Sequence, residues 1–175
     1  MVPIIAMLLA LSGWEGKVHF QHNPPRKSGG SEGAIHFAAG RVRLEEPTPI
    51  GLTVILWDGR RLVLLFPAKK TWVELPPKDA PMTTAPPLSL AGLYNSGTEV
   101  IDGKPCTIWQ QKRQGVTQRV WVPDPPPRKK NFFLFLREVT ISPRGATEAD
   151  VSDVRFKDQP ASLFRVPKGY QLTSR

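Results

Sequence analysis

A mainly β fold, one curved antiparallel sheet of about ten strands with one or two short helices, is what this 175-residue sequence predicts. Three observations carry the expectation. Proline (19) and glycine (14) are together too frequent for a helical bundle, because each interrupts a regular helix. Past Trp14, apolar and polar residues alternate instead of recurring every three or four positions, which is the period of a strand. The alternating runs are short and separated by turn pairs such as Ala39-Gly40, Asp58-Gly59 and Asp102-Gly103, so neighbouring strands pair locally. A hydrophobic content of 40% supplies one core and not two, which makes the chain a single domain.

The N-terminal run Val2 to Leu11 is almost entirely apolar and is followed by Ser12-Gly13. Its length matches the apolar region of a signal peptide and falls short of the roughly 20 residues of a spanning helix. No Lys or Arg precedes it. Residues 1–12 are therefore expected to be a truncated signal peptide ahead of a domain over 13–175, or else a short buried element. The first reading implies export.

Lys17 to Gln21 opens the sheet, and Asn23 to Gly30 is loop by composition. A hairpin follows, Ala34 to Phe37 and Arg41 to Glu45 about the Ala39-Gly40 turn. Leu52 to Trp57 and Arg61 to Phe66 form the clearest hairpin, since Asp58-Gly59 suits the positive φ angles of a type I′ turn. Both of its strands are nearly continuous apolar runs, which predicts a core on one face and something else on the other. Thr71 to Leu75 is the next strand. Pro76 to Pro87 holds five prolines and reads as a long surface connection, with room for one helical turn in Leu88 to Leu93. Gly97 to Ile101, Cys106 to Gln111 and Val116 to Val122 are three antiparallel strands. After the proline-rich Pro123 to Pro127, Phe132 to Glu138 fits a buried strand or a short helix equally well. Asp150 to Phe156 and Leu163 to Val166 are expected to close the sheet, which twists into a half-barrel.

Lys and Arg number 24 against 15 Asp and Glu, a net charge of +9, which favours anionic partners without choosing among them. The cations are scattered and only Arg128-Lys129-Lys130 forms a run, so a nucleic-acid partner is not expected. Cys106 is the sole cysteine and is expected to be a small buried hydrophobe. His19 and His36 could face each other across strands, but no Cys or carboxylate stands at metal-ligand spacing, so neither metal nor cofactor is expected. Asp150 and Asp153 fall on opposite faces of a regular strand, which counts against a carboxylate dyad. Phosphate-loop and nucleophile-elbow motifs are missing from the sequence, and no enzymatic activity is expected.

Four pieces in order, Gly40 to Glu45, Asp58-Gly59 with Phe66 to Leu75, Gly97 to Cys106 with Trp121-Val122-Pro123, and Ser162 to Tyr170, resemble the LolA/LolB-like superfamily of periplasmic lipoprotein carriers. The resemblance is to its small outer-membrane lipoprotein-sorting-like members and spans nearly the whole chain after the leader. It implies a curved sheet around an apolar interior that holds lipid or the acyl chains of a lipoprotein, in the periplasm of a Gram-negative-type envelope. The expected lining is the bulky residues of strands apolar on both faces: Leu56, Trp57, Leu64, Phe66, Trp72, Trp109, Trp121, Phe133 and Phe135. Arg41, Arg43, Arg128, Lys129 and Lys130 are candidates for a basic rim that steers an anionic headgroup or an envelope protein partner. No integral membrane segment is expected in the mature protein. The alternative is an envelope protein–protein interaction module whose interior is filled by its own side chains.

Overall fold

The computed structural model describes residues 13–24, 30–75, 90, 92–125 and 134–173. They form one open, curved, predominantly antiparallel sheet with no α-helix among them. Its strands are β1 (Gly13–Asn23), β2 (Ser31–Ala38), β3 (Arg41–Thr48), β4 (Gly51–Trp57), β5 (Leu62–Phe66), β6 (Thr71–Leu75), β7 (Tyr94–Ile101), β8 (Lys104–Arg113), β9 (Val116–Pro123), β10 (Arg137–Ser142), β11 (Gly145–Phe156) and β12 (Gln171–Leu172). The described residues form twelve strands, where the sequence predicts about ten.

The sheet order is β12-β6-β5-β4-β3-β2-β1-β11-β10-β9-β8-β7. Two meanders therefore meet at the centre. β1 to β6 run outward in chain order to one edge, and β7 to β11 start at the opposite edge and return until β11 pairs with β1. The two-residue β12 pairs with β6 in parallel.

Turn chemistry sets the hairpins. Ala39-Gly40, Asp102-Gly103 and Gln114-Gly115 each take positive φ at both positions, the geometry that matches the strand twist. Asp58-Gly59 differs from expectation. It belongs to a four-residue loop, 58–61, in which the Asp58 carboxylate accepts the backbone N–H groups of Arg60 (2.9 Å) and Arg61 (2.8 Å).

Two further expectations are corrected. The tail Leu163 to Val166 is not a strand: Ala161–Phe164 is a short 3-10 turn, and the edge strand comes later, at β12. In the ambiguous segment, 134–136 lead directly into β10 without helix, and the strand expected over Asp150 to Phe156 is the second half of β11, which starts at Gly145 and pairs with β10 about residues 142–145. The candidate connection over 76–87 and half of the candidate turn over 88–93 lie outside the described residues; Leu93 N–H bonds back to the Leu90 carbonyl (3.1 Å).

Register places Trp14, Phe37, Val42, Trp57, Leu62 and Leu75 in one row across β1 to β6. Ile35, Leu44, Ile55, Leu64 and Val73 form the next row on the same face. Both rows join Val120 and Val122 of β9, Val151 of β11, Leu134 and Phe135 in one packed cluster, with Trp109 of β8 against it. Strands far apart in the sheet order thus share a core, so the sheet curls toward this face, the inner face.

Candidate functional site

The nine apolar candidates divide between the two faces. Trp57, Leu64, Phe66 and Trp109 have inner-face register and are half-buried. Phe135 is fully buried on the same side, edge-on to Trp14 with ring centroids 6.5 Å apart. Leu56, Trp72 and Trp121 point the other way, so the expectation of one interior for all nine is revised. Leu56 and Trp72 pack with Val54, Val63, Leu65 and Phe164, beneath the C-terminal 3-10 turn. Trp121 packs with Ile101, Cys106 and Leu136, donates its indole N–H to Glu99 (2.7 Å), and lies under the Arg137 guanidinium. Phe133 lies outside the described residues.

The basic candidates divide as well. Arg41 sits over the Phe164 ring at 5.0 Å, and Arg43 donates to the Leu163 carbonyl (3.3 Å) while paired with Glu45 (2.7 Å). Both hold the C-terminal segment to the outer face. Arg128, Lys129 and Lys130 lie outside the described residues. His19 and His36 do not face each other: His19 is paired in register with Glu32, and His36 with Glu15 and Arg43. Asp150 is bound by Arg137 (2.6 Å) and Asp153 by Lys17 (3.0 Å), at a bulge where Asp153 takes positive φ. Cys106 is buried, and burial pushes its thiol up from the ordinary range, away from a reactive thiolate.

A row of polar side chains on the inner face was not expected. Register aligns His22, Thr147, Thr140, Gln118 and Gln111 across β1, β11, β10, β9 and β8. Gln111 Nε2 donates to Gln118 Oε1 (2.6 Å), Gln118 Nε2 donates to Glu138 Oε1 (2.6 Å), and the Thr140 hydroxyl donates to the same carboxyl oxygen (3.4 Å). At the other end, His22 Nδ1 meets Thr147 Oγ1 (3.2 Å) and its Nε2 lies 3.6 Å from Glu46. Burial pushes the Glu138 carboxyl up to about 8, against the opposing pull of its two donors, so it is protonated at neutral pH. Gly33 makes room between the Phe20 ring and the Glu45 backbone. A Cβ there would stand 1.9 Å from the Glu45 carbonyl oxygen and 3.0 Å from the Phe20 ring.

The inner face is thus graded from end to end. Toward the 38–41, 57–62 and 101–104 turns it is apolar, from Trp14, Phe37, Trp57 and Leu75 to Val122. Toward the 48–51, 113–116 and 142–145 turns it carries Glu46, Thr147, Thr140, Gln118 and Gln111. The sequence did hold a faint signal of this row, since Gln118 alternates with Val120 and Val122 and must share their face.

No protein-family model and no curated protein sequence matches the chain. Among solved structures, an uncharacterised conserved protein from Thermus thermophilus is similar over 98% of this chain and 99% of its own, with TM-score 0.60 and 15% identity. PNGF-II is similar over 94% of this chain at TM-score 0.51 and 12% identity, this chain spanning 32% of it. The structural neighbours also include the Mycobacterium tuberculosis lipoprotein LppX, at TM-score 0.40 and 15% identity over 86% of this chain and 90% of that one, a likeness too remote to carry an argument. These similarities show the fold alone: an open, curved, mainly antiparallel sheet.

Proposed function

We propose that this protein is a non-enzymatic binder of lipid, or of the acyl chains of a lipoprotein, exported to the periplasm of a Gram-negative-type envelope. The observation that carries the reading is a set of large, half-buried apolar side chains, Trp57, Leu64, Phe66 and Trp109, on the inner face of an open sheet whose outer face over β4 to β6 is covered by the chain's own C-terminal turn. A sheet filled only by itself would bury such residues fully. An acyl chain laid against them completes that burial, at about 0.8 kcal/mol per methylene removed from water. Binding would be passive sequestration, with no covalent step. The apolar run Val2 to Leu11 supports export.

The alternative, an envelope interaction module, is favoured by one observation: edge strand β7 is exposed at every position from Tyr94 to Val100, as a strand awaiting a partner would be. Native mass spectrometry of the protein purified from the periplasm separates the two. Co-purified lipid or acyl-peptide supports the carrier reading. Clean apoprotein that also ignores an added fluorescent fatty acid supports the module, and an N-terminal mass retaining residues 1–12 contradicts export by cleavage.

A further inference from the structure

An interior meant only for hydrocarbon gains nothing from polar side chains, because each one buried there loses water and must find a partner. Here seven, His22, Glu46, Gln111, Gln118, Glu138, Thr140 and Thr147, gather at one end of the inner face, and Gln118 and Thr140 are only 2% exposed. Charge makes the arrangement more specific. The chain carries a net +9, yet register turns Lys17, Arg41, Arg43, Lys104, Lys112, Arg119, Arg137 and Arg155 outward. Among the Lys and Arg of the described strands, only Arg113, exposed at the end of β8, shares the inner-face register. The ionisable groups deeper in that face are two carboxyls and one imidazole. Among the described residues, that deeper part of the face offers no guanidinium or ammonium to a phosphate or carboxylate.

Resting on the reading of the inner face as an acyl-chain site, we propose that this polar row is a separate headgroup subsite that takes the uncharged, hydrogen-bonding head of an amphiphile, a hydroxyl-, ester- or amide-bearing group. The ligand lies along the face with its chain on Trp57, Leu64 and Trp109 and its head toward the 113–116 and 142–145 turns. Gln111 and Thr147, the least enclosed members of the row, present an amide and a hydroxyl to it, each keeping donor and acceptor capacity beyond the bonds it already makes. With no inward Lys or Arg beside the row among the described residues, an anionic head finds no countercharge there, which sets the subsite apart from a basic-rim mechanism.

The test is competitive displacement of a fluorescent fatty acyl probe from the full chain at pH 7 by four ligands with the same sixteen-carbon chain: 1-monopalmitoylglycerol, hexadecanamide, palmitate and hexadecyl phosphate. The two neutral heads are expected to bind at least tenfold tighter than the two anions. In the variant Gln111→Met with Thr147→Val, chosen for near-equal volume and checked for an unchanged melting profile, that ratio falls to within about twofold while chain binding persists. Equal or tighter binding of the anions overturns the inference and restores a basic rim. An unchanged ratio in the folded variant also overturns it, because the preference then arises elsewhere. Should no ligand of any head displace the probe, or the probe itself fail to bind, the acyl-chain reading falls and this inference falls with it.

Discussion

The β4–β5 hairpin is apolar on both faces, and the two faces are used differently. On the outer side Val54, Leu56, Val63 and Leu65 are at most 1% exposed, closed over by Phe164 and held by Arg41 and Arg43 through the C-terminal turn. On the inner side Ile55 and Leu62 are buried, while Trp57 and Leu64 remain half-buried against the shared core. One face is completed by the chain itself and the other is not. A continuous apolar run in a strand therefore reports burial on both sides without saying what does the burying, and here the answers are a tail on one side and, in our reading, a ligand on the other.

The comparison can be broken by mutation. Phe164→Ala opens the sealed face, so chemical denaturation should show the largest loss, about 3–5 kcal/mol, with acyl binding unchanged in the fraction that folds. Trp72→Ala removes a partner of the same cluster, which also stacks with Arg61, and should cost about 2 kcal/mol, again without affecting binding. Trp57→Ala on the inner face should do the reverse, weakening acyl-probe binding about tenfold while lowering stability by less than Trp72→Ala does. If both tryptophan variants weaken binding equally, the two faces do not differ in role.

The polar end offers a pH test. A carboxyl whose pKa is raised on folding binds more protons folded than unfolded, so its contribution to stability is full below its ordinary pKa of 4.5 and is lost as pH rises to about 8. On the same inner face, β1 and β3 carry His22 and Glu46, 3.6 Å apart. Comparing urea midpoints of the native chain and Glu138→Gln from pH 5 to 8 should show the native chain losing at most about 1.4 kcal/mol per pH unit more than the variant. Parallel curves would mean Glu138 is ionised in the fold. The smallest effect expected is that of Arg41→Ala, about 0.5–1 kcal/mol from the lost stacking on Phe164.

Local chemistry was legible in the sequence and long-range register was not. Apolar runs and alternation bounded by turn residues placed β4, β5, β6 and β9 to within a residue and the centre of β8, and Ala39-Gly40 and Asp102-Gly103 were recognisable because few residue pairs tolerate successive positive φ. Asp58-Gly59 misled because the Asp58 side chain also caps two N–H groups, which stabilises a longer loop. Leu163 to Val166 alternates like a strand, yet its Leu163 and Phe164 are apolar in order to cover the outer face, not to pair. The same gap divided the candidate site. Leu56 and Trp57 are adjacent and equally apolar, and only the direction in which the sheet curls sends one outward and the other inward. Of the polar row only Gln118 left a trace, through its alternation with Val120 and Val122, because Gln111, Gln118, Glu138 and Thr147 come together only once β8 to β11 are paired.

The central claim, that the inner face is the ligand surface, is tested most directly by fluorescence quenching with an acyl chain brominated along its length. Four variants would each retain one of Trp57, Trp109, Trp72 or Trp121, with Trp14 and the remaining tryptophans replaced by Phe. Bromine quenches only at near contact. Saturable quenching of Trp57 and Trp109, and none of Trp72 or Trp121, is the expected result. Quenching of the outer pair, or of all four alike, would contradict it.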